Sequence, residues 1–350
     1  MGSTAGIPVR RQLASRLGVL DVGSNTVHLL ICDSVGGVPL PVHRTKARLR
    51  LSERLDVSGR LDEASVLRLV KAVAKARATA RKWGVGELLP YATAVVRDAP
   101  NREEVLRAVL EGSGVELAVL PGVLEAELTF LAARRWMGWR IGSMVVIDIG
   151  GGSLEVAFGR GSRPDFRACL PLGAGRLTRE HLAAHDPPLP REVRALRRHV
   201  RAELQETAAR IRWEGPCSAV ATSRTLQQLA RLCGAAPARH GPFVPRSLAR
   251  SDLRQALERL SALPAAERSA LPGISSARAR QAPAGAVVAA TAMKSMGIEE
   301  MTVCPWALRE GVLLRHIEGG GPAWWDGLRR LPTRSAAQAD PVSACFGAGP

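Results

Sequence analysis

Apolar positions recur along this chain with two different periods, and the alternation between them defines its elements. From Gly18 to Asp33 a nearly continuous apolar run is broken only by Gly23-Ser24-Asn25. Two β-prone segments around a small, polar break predict a hairpin. Between Asp62 and Trp83 the apolar residues Val66, Leu69, Val70, Val73, Ala76, Ala80 and Trp83 fall mostly three and four apart, the stripe of one buried helix face. The same reading places a strand near Leu88–Ala94, a helix over Arg102–Glu111, a strand over Val115–Leu120 and a helix over Val123–Trp136. Further helices are predicted at Arg191–Trp213, Thr225–Cys233, Ser251–Ala262, Ala284–Met296 and Ala307–His316. Strands and helices in alternation predict the α/β class.

A second hairpin pattern, MVVIDIGGGSLEVAF from Met144 to Phe158, repeats the first, LGVLDVGSNTVHLLI from Leu17 to Ile31. Asp21 aligns with Asp148, Gly23 with Gly150 and Thr26 with Ser153, an offset of 127 residues. A period that long is not a solenoid repeat. It predicts two related domains that each open on a hairpin, with a boundary near Arg140. The expected organisation is a floppy lead-in over 1–16, domain I over 17–140, domain II over 141–318 and a tail over 319–350. Apolar periodicity fades in the tail, although Trp324 and Trp325 could pin part of it to the body.

A length of 350 residues suits two such domains. The formal net charge of +17 comes almost wholly from arginine, since only five of the 49 basic residues are lysine. A basic surface concentrates polyanions, but a solvated arginine-rich face explains the same composition. Aromatic residues make up 4% of the chain, and no basic stretch is interleaved with stacking aromatics, which argues against nucleic acid as the partner. The six cysteines (Cys32, Cys169, Cys217, Cys233, Cys304, Cys345) have neither CxxC nor metal-ligand spacing and fit reduced thiols in a cytosol. No apolar run is long enough for a membrane span, and the N-terminus lacks a secretory core. A cytoplasmic protein without a membrane partner is the expectation.

The two turns carry the candidate chemistry. Glycine lets backbone approach an anion closely, and successive turn amides form a nest for phosphate oxygens. An aspartate before such a turn can hold a divalent cation, because hard cations prefer oxygen. One Asp-x-Gly turn is as readily structural; two at matched positions favour phosphate. No GxxxxGK[ST] is present, so a Walker-type loop is excluded. Glu155 follows the second turn, where its side chain can reach whatever the glycines hold. Glu125 falls in a first helical turn, where glutamate is more often a dipole-complementing surface charge.

Six stretches resemble the Ppx/GppA family of exopolyphosphatases and guanosine-pentaphosphate phosphohydrolases, within the actin–Hsp70–sugar kinase superfamily. They are LDVGSNTVHLL (Leu20–Leu30), ATAVVRDAPN (Ala92–Asn101), EAELTFLA (Glu125–Ala132), VIDIGGGSLEVAFG (Val146–Gly159), LPLGAGRLTRE (Leu170–Glu180) and PWALREGVLL (Pro305–Leu314). They occur in family order, and the chain is most similar to the short actinobacterial form without C-terminal helical domains. The resemblance implies two actin-like (ribonuclease H-like) α/β domains with a cleft between them. It implies phosphate binding by Gly23, Ser24, Asn25 and Thr26 and by Gly150, Gly151, Gly152 and Ser153, with Arg97 facing phosphate from domain I. Glu125 and Glu155 become the catalytic pair, Glu125 as base. Asp148 and Glu155 become the ligands of Mg²⁺ or Mn²⁺.

The implied activity is removal of terminal phosphoryl groups from inorganic polyphosphate, with shorter chains preferred. The 5'-phosphate of pppGpp is a second candidate substrate, (p)ppGpp a candidate ligand, and a homodimer follows from family precedent alone. Several positions depart from the family pattern. Val123-Leu124 stand where acidic residues are common, Glu127 where arginine is usual, and His28 where many relatives have arginine. A negative charge at Glu127 is expected to weaken polyanion binding, which keeps alive an alternative: a catalytically weakened polyphosphate or (p)ppGpp sensor. A sugar-kinase-like ATP site is disfavoured, because Ala219–Arg224 lacks the glycines of an adenosine segment. The His185-Asp186 pair precedes two prolines in a loop and reads as non-catalytic.

Overall fold

The computed structural model describes residues 16–35 and 37–329. Nearly all of the expected lead-in, and the tail from 330 on, lie outside the described residues. The first sheet comprises β1 (Arg16–Val22), β2 (Thr26–Val35), β3 (Val38–Arg48), β4 (Glu87–Ala92) and β5 (Ala118–Val119), in spatial order β3-β2-β1-β4-β5. The second comprises β6 (Met144–Ile149), β7 (Leu154–Gly159), β8 (Phe166–Leu170), β9 (Ser218–Ala221), β10 (Ser247–Ala249) and β11 (Glu300–Val303), in order β10-β11-β9-β6-β7-β8.

The two sheets share one plan. In each, an antiparallel three-strand meander opens the unit, and the next strand returns parallel beside the first: β4 on β1, β9 on β6. The 127-residue repeat is therefore a repeat of topology. The registers agree as well, with Asp21 opposite His28 and Asp148 opposite Glu155, so His28 is the first unit's counterpart of Glu155.

Helix Glu63–Lys82 follows the predicted stripe, burying Leu69, Val73, Ala76 and Ala80, and starts where Asp62 accepts the Ser65 amide at its N-cap. The reading over Arg191–Trp213 meets a break: helices Pro190–Glu203 and Gln205–Trp213 are separate, with Leu204 buried between them. β3 was not anticipated. Its Pro39 and Pro41 cannot donate ladder hydrogen bonds, which an edge strand tolerates.

Helix Leu308–Arg315 departs from the expected grouping with domain II. Val312 and Leu313 pack with Leu17, Val19, Leu30 and Leu89 of the first sheet. Helix Gly321–Arg329 extends this contact by burying Trp325 and Leu328, so the aromatic pair does pin the chain. Helix Gly122–Met137 lies between the two sheets: Leu128 joins the first sheet's cluster, while Ala126, Phe130 and Ala133 join Met144, Val146 and Ala157 of the second. Glu125 rides on this central helix.

Candidate active site

The hairpin turns close in the same way. The Gly23 amide donates to the Thr26 carbonyl at 3.0 Å, and the Gly150 amide to the Ser153 carbonyl at 2.9 Å. The amides of Ser24 and Asn25 in one turn, and of Gly151, Gly152 and Ser153 in the other, have no acceptor among the described residues. Ser24, Asn25 and Ser153 are buried residues, and a buried amide without a partner is rare. Successive free amides are the donor array that an anion fills.

The two turns touch. A Cβ on Gly151 would come within 2.6 Å of the Ser24 Cβ, so glycine alone lets the apices meet. Gly173, in the LPLGAG stretch, is similarly constrained, with a Cβ there 2.2 Å from the Gly152 carbonyl carbon. That segment backs the second turn, the Ala174 amide donating to the Gly150 carbonyl and the Gly175 and Arg176 amides to the Gly151 carbonyl. The Asn25 side chain is engaged elsewhere: its Nδ2 donates to Gln281 Oε1 at 3.3 Å, and its Oδ1 accepts from Ser52 Oγ. Its backbone amide is what it leaves for a ligand.

The matched aspartates have diverged. Asp148 Oδ2 accepts from Thr222 Oγ1 at 2.6 Å and from the Ser223 amide at 3.1 Å. The glycine-free segment after β9 thus orients a carboxylate. Asp21 Oδ2 accepts instead from Arg309 Nη1 at 3.1 Å, and its charge is spent on an ion pair.

The two glutamates are buried and joined by a chain of contacts. Glu125 receives Arg97 Nη1 in a close ion pair, so the guanidinium expected to face phosphate is in contact with this glutamate. Arg97 Nη2 reaches Cys169 Sγ at 3.9 Å, and that thiol lies 3.5 Å from Glu155 Oε1. Cys169 is the cross-strand partner of Glu155. Burial pushes Glu125 well above the ordinary carboxylate range against the pull of Arg97, and Glu155 adds to the rise. Burial, then Asp148, push Glu155 up to about 7.

Asp148 is likewise raised by burial. Two buried acids facing each other on paired strands suit a hard dication, which relieves their repulsion. Among the described residues no three His, Cys, Asp or Glu side chains form a closed cage. An ion here would keep water and substrate oxygens in its shell, the habit of Mg²⁺.

Sequence reasoning missed a bank of cations beside the acids. Lys46 on β3 is held below the usual amine range by burial and by Arg278, Arg224, Arg309 and Arg48. Burial and Arg224 push Arg278 down to about 10. Among the described residues Lys46, Arg224 and Arg278 have no acid within ion-pair distance. Lys46 and Arg224 are exposed and Arg278 is half-buried, so a crowded set of cations without a carboxylate partner stands open to an anion. The only sequence signal was excess arginine, which does not say where the charges meet. Conversely, Glu127 pairs with Arg167 on β8 at 3.4 Å, so its charge is answered by a neighbour. Asp186 pairs with the buried Arg268 and His185 with Glu192, structural roles for both.

The model of the Ppx/GppA phosphatase family matches residues 30–318. The chain belongs to that family. Among curated relatives, a Streptomyces coelicolor protein is 62% identical over 325 residues, covering 93% of this chain and 96% of its own. Exopolyphosphatase 1 of Mycobacterium tuberculosis is 49% identical over 305 residues, covering 87% and 88%. Among solved structures, an exopolyphosphatase from Cytophaga hutchinsonii aligns with TM-score 0.80 at 24% identity over 87% of this chain and 98% of that one. The Aquifex aeolicus member of the Ppx/GppA family aligns with TM-score 0.73 at 24% identity, covering 88% and 99%. These carry the fold: the expected α/β class with two related units stands.

Proposed function

We propose that this chain is an exopolyphosphatase that releases orthophosphate from the end of inorganic polyphosphate, assisted by Mg²⁺ or Mn²⁺. The observation that carries the reading is the convergence of two opposed arrays of unpartnered amides with two buried glutamates that Arg97 and Cys169 link across the cleft. Phosphoryl transfer needs positioning and charge neutralisation more than covalent chemistry. The turn amides hold the terminal phosphate, and Lys46, Arg224 and Arg278 accept the phosphates behind it. Glu125, kept in place by Arg97, takes the proton of the attacking water, and Glu155 orients that water. Burial raises both carboxyls above the ordinary range, so each takes a proton more readily than a free glutamate. Asp148 and Glu155 would hold the divalent ion, whose charge stabilises the phosphoryl oxygens when bound.

The paired Glu127 removes the main sequence argument for a weakened sensor. The cation bank accepts any linear phosphate anhydride, so the 5'-phosphate of pppGpp belongs in the assay. A cytoplasmic location accords with this reading, and among the described residues no helix is long and apolar enough to cross a membrane. The test is orthophosphate release from short polyphosphate, polymers of hundreds of units and pppGpp, each with and without Mg²⁺. Metal-dependent release, faster on short chains, is expected. Tight polyphosphate binding with no release would overturn the enzyme reading.

A further inference from the structure

We propose a second anion subsite behind the two turns, which takes the orthophosphate just cleaved. A cavity of about 60 Å³ lies there, bounded by Ser24, Gly151 and Gly152 on one side and by Arg176, Arg179 and Asp98 on the other. None of Glu125, Glu155, Asp21 or Asp148 lines it. It is therefore separate from the acid-lined face, with the turn apices as the shared wall. At roughly 10–15 Å³ per enclosed water, the space takes a few waters or one small tetrahedral anion.

The cations are placed for such an ion. Arg176 and Arg179 are three apart on helix Ala174–His181 and so share a face. Arg176 Nη2 contacts Asp98 Oδ2 at 2.5 Å, and Arg179 Nη1 contacts the Ser52 carbonyl at 3.4 Å. The other oxygen of Asp98 accepts from Arg97 Nε at 3.1 Å. One carboxylate thus ties the arginine holding Glu125 to the arginine lining the rear cavity. Phosphate is a strong arginine ligand, so an arriving ion competes with Asp98 for Arg176.

A path behind the turns lets the released ion leave while the shortened chain stays in the cleft. That path lies between Ser24 and Gly151, which are in contact but belong to different domains. A small parting of the domains opens the way.

The identity of the ion rests on the proposed hydrolysis; the existence of the subsite does not. Equilibrium dialysis of radiolabelled orthophosphate against the full chain, without polyphosphate, tests it. Two ions per chain are expected in the wild type. Arg179→Ala should weaken one of them at least tenfold and leave the other, whose retention shows the variant is folded, while Arg179→Lys restores most of the loss. A single ion per chain, indifferent to Arg179→Ala, overturns the proposal, as does joint loss of both ions. Should the chain fail to hydrolyse polyphosphate yet keep an Arg179-dependent site, only the hydrolysis reading falls.

Discussion

Replacing Glu155 with glutamine should stabilise the metal-free protein while disabling it. Glu155 is buried opposite Asp148, and its carboxyl is pushed from 4.5 to about 7. A folded-state value above the unfolded one means that ionisation opposes folding. The penalty is absent below the unfolded value and complete once pH exceeds the folded one. At 1.36 kcal/mol per unit, the rise corresponds to about 3 kcal/mol. Glutamine keeps the shape and an acceptor for the Cys169 thiol but cannot ionise, so it escapes the penalty. At about 2 °C per kcal/mol for a chain of this size, Glu155→Gln should melt about 6 °C above wild type at pH 8.5 in EDTA. The gain should vanish near pH 4.5, where the wild-type carboxyl is already neutral. Loss of the Glu155 charge also relieves Glu125, whose rise it adds to, and this works in the same direction at high pH. Differential scanning calorimetry across pH makes the comparison. An equal gain at both pH values, or none at pH 8.5, would refute the reasoning.

Two further predictions follow from single contacts. Gly151→Ala places a methyl 2.6 Å from the Ser24 Cβ, which should cost about 1–3 kcal/mol as overpacking and part the turns, so both denaturant midpoint and phosphate release should fall. Lys46→Met removes one member of the cation bank, so KM for polyphosphate should rise several-fold with kcat nearly unchanged, and the salt dependence of KM should flatten. An unchanged KM would place the substrate elsewhere.

The turns, the central helix and the duplicated hairpins were legible because each is written locally: small residues between β-prone runs, and stripes three and four apart. The 127-residue offset pointed to two related units that each open on a hairpin. What was not legible arises from long-range placement. Helix Leu308–Arg315 joins the first sheet although it begins 273 residues after β2 ends, and no local pattern announces a return. The pairing of Arg97 with Glu125 was not read either, because burial of that glutamate, which demands a counter-charge, is set by the fold. The cations Lys46, Arg224 and Arg278 come from three distant segments and meet only in the fold. Glu127 looked harmful in sequence because Arg167, its partner, lies 40 residues on, on β8.

Whether both glutamates act on one phosphorus is tested most directly by a double-mutant cycle on orthophosphate release, using Glu125→Gln, Glu155→Gln and the pair. Each single change should lower kcat by about 10²–10⁴. Residues working as a unit are strongly non-additive, so the pair should be little slower than the slower single variant. Losses that multiply, or a Glu125→Gln enzyme with wild-type turnover, would contradict the account.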